Sequence, residues 1–293
     1  MSASAITVGG SEIGAVCGLD PWCDPTTLAA RKLGLIPAQP ETEAMLLGTR
    51  LEPLVAELAS ERGYPLLPAE KLTDPERPWC VGTPDGTTLI GNVAAVAELK
   101  TVGVYAHRDW DDLPPLRYQA QCQWYMHLTG LSAAVVVALV GGQRVGVYHL
   151  ERDDTAIVAL LDAGEQFVDV VRRGKLPEPD GSDSARSTLG RLHPAQTTGA
   201  VVRAGRAEME AYRALLDVRQ AEERIKAQKQ ALENTLKAYI GDAETLVAAD
   251  DAPLVHWRAV ASGRLDGSAL RRDHPDIHAE YSQSTTTRRF TVT

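Results

Sequence analysis

Signals for helices, strands and turns alternate through residues 43–174, and this alternation constrains the fold more than any other feature of the chain. Residues 43–62 carry apolar side chains at the spacing of one helix face, and Gly63 follows where that helix should end. Turn residues and β-leaning runs define further strands and helices, predicted over 79–100, 116–128, 132–140, 144–150 and 153–173. The pattern predicts an α/β fold.

The composition changes beyond this part. Residues 176–196 are rich in Pro, Ser, Asp and Gly and indicate a linker, which we place at 179–202 between a core of 1–178 and an extension of 203–293. The extension is predicted to hold one long helical segment over 203–240, a β-hairpin over 246–261 and a short strand over 289–292. Apolar residues recur every seven positions in the long segment: Val218, Ile225, Leu232 and Tyr239. This pattern fits a coiled coil weakly, and a helical hairpin or a helix lying on the core equally well.

The net charge of −9 excludes one class of protein. The acidic excess lies before residue 203, which argues against a protein that coats nucleic acid by neutralising phosphates. No apolar run is long enough to span a membrane and the N-terminus does not resemble a secretory signal, so we expect a cytoplasmic protein with no membrane partner. The 4 cysteines form no C-x-x-C pair and are expected to be reduced and buried, with neither a zinc site nor a disulfide framework.

The strongest chemical signal is Asp85 in a Pro-Asp-Gly turn, followed by Glu98 and Lys100 in a predicted strand. Side chains alternate along a strand, so Glu98 and Lys100 share a face, and the turn brings Asp85 to the same end of the sheet. Two converging carboxylates repel each other unless a cation lies between them, and Mg²⁺ or Mn²⁺ suits such oxygen ligands. The Lys100 ammonium would hold or help deprotonate an attacking water.

Two helices offer supporting groups. Glu52 follows a core-facing leucine and borders the buried face of its helix, while Gln121 and Tyr125 lie one turn apart on a later helix. Each feature alone also fits an ordinary protein: a surface hairpin with an incidental charge pair, a solvated glutamate, or a helix glutamine.

Five motifs in order carry a resemblance. They are residues 9–22 (GGSEIGAVCGLDPW), Gly48 with Glu52, residues 83–86 (TPDG), residues 97–100 (AELK) and residues 118–125 (YQAQCQWY). In order and spacing, these motifs resemble the YqaJ-like viral recombinase family, which is related to phage lambda exonuclease in the PD-(D/E)XK nuclease superfamily. The similarity extends over about residues 8–177.

The resemblance implies a restriction-endonuclease-like core, a mixed central sheet flanked by helices, with a C-terminal helical and β-hairpin extension. Asp85, Glu98 and the backbone carbonyl of Leu99 would ligate the metal, and Glu52 would complete the site. Lys100 would position or activate the water, with support from Gln121. Ser11, Tyr118 and Tyr125 would contact DNA, although Ser11 also fits a simple helix N-cap.

The implied function is that of a phage-type exonuclease that digests linear double-stranded DNA 5′ to 3′ with two Mg²⁺ ions, for which Mn²⁺ would substitute. It would leave 3′ single strands for a phage annealing protein, act in a bacterial host and assemble as a homotrimer. Relatives commonly carry an arginine before the Gly-Gly-Ser turn that this chain lacks, since its first basic residue is Arg31. Two alternatives are an endonuclease or structure-specific nuclease of the same superfamily, and a non-catalytic DNA-binding or scaffold subunit.

Overall fold

A computed structural model describes residues 6–104, 110, 112–283 and 287–292. The chain forms two compact units, of which the first ends at Pro194 and the second begins at Ala195. The helices of the first unit are α1 (Gly10–Val16), α2 (Pro25–Lys32), α3 (Glu43–Glu61), α4 (Leu116–Thr129), α5 (Asp154–Arg172) and α6 (Asp183–Leu192). Its strands are β1 (Leu72–Thr73), β2 (Val81–Gly82), β3 (Gly86–Ile90), β4 (Val93–Val102), β5 (Ala133–Val140) and β6 (Arg144–Glu151).

A mixed four-stranded sheet in the order β3-β4-β5-β6 forms the centre of the first unit. The β3–β4 and β5–β6 pairs are antiparallel hairpins, whereas β4 and β5 run parallel, joined by a connection that contains α4. Strand β5 is apolar along its whole length because helices cover both of its faces. The predicted mixed sheet flanked by helices is confirmed.

The two faces of the sheet carry separate apolar clusters. Val96 and Val136 pack on the face covered by α1, α4 and α5, while Leu99 and Val137 pack on the opposite face beneath Val55 of α3. The alternation of side chains along β4 therefore divides the strand as predicted, with Glu98 on the side of α4.

The predicted linker over 179–202 contains a helix, so the sequence prediction is wrong for that part of the segment. Helix α6 packs on α2: Ser184 donates to the buried N-cap Asp24 at 2.7 Å, and the hydroxyls of Thr188 and Thr27 lie 2.7 Å apart. Its composition resembles a linker because this helix is held by short polar side chains rather than by a broad apolar face.

The second unit contains α7 (Arg206–Ile240), the hairpin strands β7 (Thr245–Val247) and β8 (Pro253–His256), and the short helices α8 (Gly267–Asp273) and α9 (Pro275–Tyr281). Helix α7 is continuous over 35 residues, so the helical hairpin is excluded. The strand predicted over 289–292 is not formed, since these residues have no regular structure. No helix in the described part of either unit has the length and apolar character needed to cross a membrane.

Candidate active site

Glu98 and Lys100 form an ion pair on β4, on the face of the sheet that α4 covers. The two side chains meet because they are two positions apart on one strand, as the alternation predicted. Glu98 is 1% exposed, and its Oε1 accepts hydrogen bonds from Lys100 Nζ and, at 2.7 Å, from Gln121 Nε2. A strand and a helix thus hold one carboxylate in a fixed orientation.

Tyr125 fixes the glutamine rather than facing DNA. Gln121 Nε2 lies 3.3 Å from the Tyr125 hydroxyl, and the tyrosine ring packs between Gly10 and Gly82. A Cβ atom on Gly10 would lie 2.4 Å from that ring, so only glycine permits this approach. The ring is 4% exposed and has no face for a nucleic acid, which corrects the prediction that Tyr125 contacts DNA.

Asp85 reaches β4 through an open stretch of strand edge. Strand β3 pairs with β4 only as far as Gly86 opposite Ala97. Beyond Ala97, no strand among the described residues pairs with this edge of β4. Asp85 occupies this gap, where its Oδ2 accepts a hydrogen bond from the Leu99 amide at 2.7 Å. The turn therefore brings the aspartate to the same end of the sheet as Glu98, as predicted, and the Leu99 backbone with it.

The second carboxylate oxygen of Glu98 fits a metal ligand. It is buried without a hydrogen-bond partner among the described residues, and an unpaired buried carboxylate oxygen is costly. Burial raises the pKa of Glu98 to about 7, against the lowering effect of Lys100 and with a further rise from Asp85 and Glu52. A hard divalent cation between these carboxylates would relieve both the missing contact and the repulsion.

Lys100 is held as an ammonium. Burial by itself would lower its pKa, but the Glu98 carboxylate and Asp85 together raise it above the ordinary value. A charged ammonium donates hydrogen bonds and offsets negative charge, whereas it takes up no proton. Both roles predicted for Lys100, holding the attacking water and helping to deprotonate it, remain predictions.

These groups line one cavity of about 880 Å³. Glu52 enters it from α3, and Asp85, Leu99, Lys100 and Gln121 line it as well. Three of the predicted metal ligands therefore line one cavity, namely Glu52, Asp85 and Leu99. The fourth, Glu98, is hydrogen-bonded to Lys100 and Gln121 of the lining.

Arg117 lines the same cavity and was missed by the sequence analysis. Its guanidinium lies over the Tyr118 ring at 4.5 Å, and its Cβ packs closely on Gly14 of α1. Lys100 Nζ lies over the same ring at 5.1 Å. Arg117 makes no ion pair within the described ranges, so its charge is available to a ligand. Its position directly before Tyr118 was the one signal for it in the sequence.

Ser11 also lines the cavity, but not as a helix cap. The N-cap of α1 is Gly9, whose amide is bound by Glu12 at 2.9 Å, and Ser11 is the second residue of the helix. The N-cap interpretation is therefore wrong, and Ser11 is an exposed residue of the cavity lining.

A second group of polar residues lies away from this cavity. Ligand atoms of Asp74, Cys80 and His127 fall within 4.8 Å of one another, a combination that counting cysteines alone did not reveal. Asp74 already accepts bonds from two backbone amides and, at 2.7 Å, from His127, while burial raises the pKa of Cys80 to about 12. The bond between His127 and Asp74 joins α4 to the connection between β1 and β2. The four cysteines are free. Cys23, Cys80 and Cys122 are buried as predicted, whereas Cys17 is only partly buried, so the prediction is wrong for that residue.

Comparison with known proteins gives similarities in sequence and in structure. The YqaJ protein of Bacillus subtilis (strain 168) is 28% identical over 292 residues, which cover 97% of this chain and 90% of that protein. An alkaline exonuclease from Laribacter hongkongensis (LHK-Exo) has a TM-score of 0.49 at 22% identity, over 59% of this chain and 91% of its own. A phage related exonuclease from Haemophilus somnus 129PT has a TM-score of 0.45 at 14% identity, over 59% of this chain and 98% of its own.

The sequence model of the YqaJ-like viral recombinase domain matches residues 3–132. This range contains all five motifs that carried the resemblance, including both acidic motifs and the helix of Gln121. The predicted resemblance is confirmed over this range: residues 3–132 match the sequence model of the YqaJ-like viral recombinase domain.

Proposed function

We propose that this protein is a metal-dependent deoxyribonuclease that digests linear double-stranded DNA from its ends. The observation that carries the proposal is the cluster of buried Glu98 and Gln121 with Lys100, and with Asp85 bound to the next residue of β4. One Glu98 oxygen in this cluster has no partner among the residues that the structure describes. The match of residues 3–132 to the YqaJ-like viral recombinase domain agrees with this chemistry.

The metal ligands in this proposal are Asp85, Glu98, the Leu99 carbonyl and Glu52. Two Mg²⁺ ions would polarise the phosphate and make a bound water more acidic, and Mn²⁺ would substitute for Mg²⁺. A ligand set made of oxygen atoms, from carboxylates and one backbone carbonyl, favours these hard cations over zinc.

The remaining side chains position the reactants. Lys100 orients the attacking water and offsets charge that develops on the phosphate, while Gln121 keeps Glu98 from rotating. Arg117 and the exposed hydroxyl of Ser11 bind phosphates of the strand in the cavity, and Tyr118 supports the Arg117 guanidinium from below. In this proposal, digestion runs 5′ to 3′ and leaves a 3′ single strand, which passes to an annealing protein. The enzyme is a homotrimer and acts in the bacterial cytoplasm as a phage or prophage protein.

The test compares linear with closed circular duplex DNA, in Mg²⁺ and in chelator, with 5′-phosphorylated and 5′-hydroxyl ends. The expected result is metal-dependent loss of linear DNA alone by the wild type, and none by Lys100→Ala. Lys71→Ala is the matched control, because Lys71 is exposed and does not line the cavity. Cleavage of closed circles would favour an endonuclease, and no cleavage with any metal would favour a non-catalytic DNA-binding subunit.

A further inference from the structure

Trp22 is an unusual residue at the cavity wall. Its side chain is 75% exposed, although exposure of an indole ring to water is unfavourable. It lines the same cavity as Asp85, Lys100 and Gln121. The exposed ring therefore lies in the space through which a substrate would reach these groups, and none of the roles proposed above uses it.

The backbone on both sides of Trp22 is fixed. On one side, the Trp22 amide donates to Asp20 Oδ1 at 2.8 Å, which closes a tight turn. On the other side, Cys23 is buried and Asp24 is the buried N-cap of α2, held further by Ser184. The ring thus projects from a short, rigid connection between α1 and α2 rather than from a loose loop.

Charge indicates which part of a nucleotide would meet this ring. Asp20 and Glu52 line the cavity with Trp22, and their carboxylates repel a phosphate. Two cations line the cavity among the described residues: Lys100 is paired with Glu98, whereas Arg117 has no ion pair there and therefore attracts the phosphate. A flat apolar ring suits a nucleobase, and every nucleobase has a face that stacks on an aromatic side chain.

We propose that Trp22 is a stacking platform for an unpaired nucleobase of the strand that enters the cavity. A base in the interior of a duplex is stacked on both faces and has no free face for the ring. The platform therefore selects DNA ends whose strands have separated. This inference rests on the proposed function, because it takes DNA to be the ligand of the cavity. Trp22 is accordingly a positioning residue that acts on substrate binding.

The experiment measures binding of fluorescently labelled duplexes with one strand extended by four unpaired nucleotides, using Ca²⁺ in place of Mg²⁺ to suppress cleavage. Each unpaired nucleotide is replaced in turn by an abasic analogue. At one position the analogue should weaken binding to the wild type about tenfold and leave binding to Trp22→Ala unchanged, because the variant has already lost the stack. Trp22→Phe should retain most of the effect.

Tryptophan emission supplies a second measurement. Trp79, Trp110 and Trp124 are buried, whereas Trp257 of the second unit is 46% exposed and provides the matched control. DNA should quench emission in the wild type and in Trp257→Phe, and the quenching should be lost in Trp22→Phe. A Trp22 signal that instead changes with protein concentration, without DNA, would assign the ring to a contact between copies and overturn the proposal.

The outcomes separate this inference from the function on which it rests. The protein could cleave linear DNA while the abasic analogue weakens DNA binding to the wild type and to Trp22→Ala equally at every position. This result would overturn the stacking platform alone. Position-dependent stacking in a protein that never cleaves DNA in Mg²⁺ would overturn the nuclease and leave the platform standing. Absence of DNA binding would overturn both.

Discussion

The two units of this chain bury their apolar residues to very different extents. In the first, both faces of the sheet are covered and even a glutamate is almost fully buried. In the second, the 35-residue helix α7 has Ile240 as its buried residue, and Val218, Ile225 and Leu232 lie exposed. Rigid positioning of charged groups needs a packed surrounding, so we expect the proposed chemistry in the first unit. The same substitution made in each unit tests this comparison.

The largest difference is expected for glutamate changed to glutamine. Glu98→Gln removes the charge that pairs with Lys100 and that would hold the proposed metal, so metal-dependent DNA cleavage should fall by about 10³-fold or more. Glu222→Gln makes the same change on the exposed surface of α7 and should leave the rate unchanged. Single-turnover digestion of linear DNA measures both, with circular dichroism to verify folding. Equal losses would show that the second unit shares in catalysis.

Glycine changed to alanine tests packing. A Cβ atom on Gly82 would lie 2.7 Å from the Tyr125 ring and 2.8 Å from Leu128, so Gly82→Ala should lower the free energy of unfolding by about 2–3 kcal/mol. Gly263 of the second unit has open space around its Cβ position, and Gly263→Ala should change stability by less than about 0.5 kcal/mol. Urea titration measures the two. An unchanged midpoint for Gly82→Ala would contradict the close packing of Tyr125.

Valine changed to alanine compares two helices at equal loss of side-chain volume. Val168 on α5 is 1% exposed and Val218 on α7 is 63% exposed. Val168→Ala should cost about 2 kcal/mol of stability through the lost apolar burial and the cavity left behind. Val218→Ala should stay within about 0.5 kcal/mol. A comparable loss for Val218→Ala at high protein concentration, but not at low, would show that a second copy covers α7.

The smallest effect is expected for arginine changed to alanine. Arg117→Ala should weaken DNA binding about threefold and lower the salt-dependence slope by about one, since one phosphate contact is lost. Arg219→Ala on α7 should leave both the affinity and the slope unchanged. Anisotropy titrations at several salt concentrations provide the values. A matching fall in slope for Arg219→Ala would extend the DNA contacts to the second unit.

The sequence predicted most of the local structure of the first unit. The helix over 43–62 forms as α3, and Gly130 ends α4 in the left-handed conformation that glycine favours. The clearest error of the sequence prediction was the linker placed where α6 forms. A helix stabilised by serine and threonine hydroxyls has the composition of a loop. Periodicity also placed Glu98 and Lys100 side by side, since alternation along a strand is a local property.

By itself, then, the sequence determined the elements, the strand face that carries Glu98 and Lys100, and the YqaJ-like motifs. Only the tertiary structure decided that Gln121, 23 positions away, binds Glu98, and that Arg117 packs against Gly14 and enters the cavity. It also buried Tyr125, which the motif alone assigned to DNA. Contacts of this kind depend on how helices seat on the sheet, and that geometry is set by close packing among residues distant in the chain rather than by any local pattern.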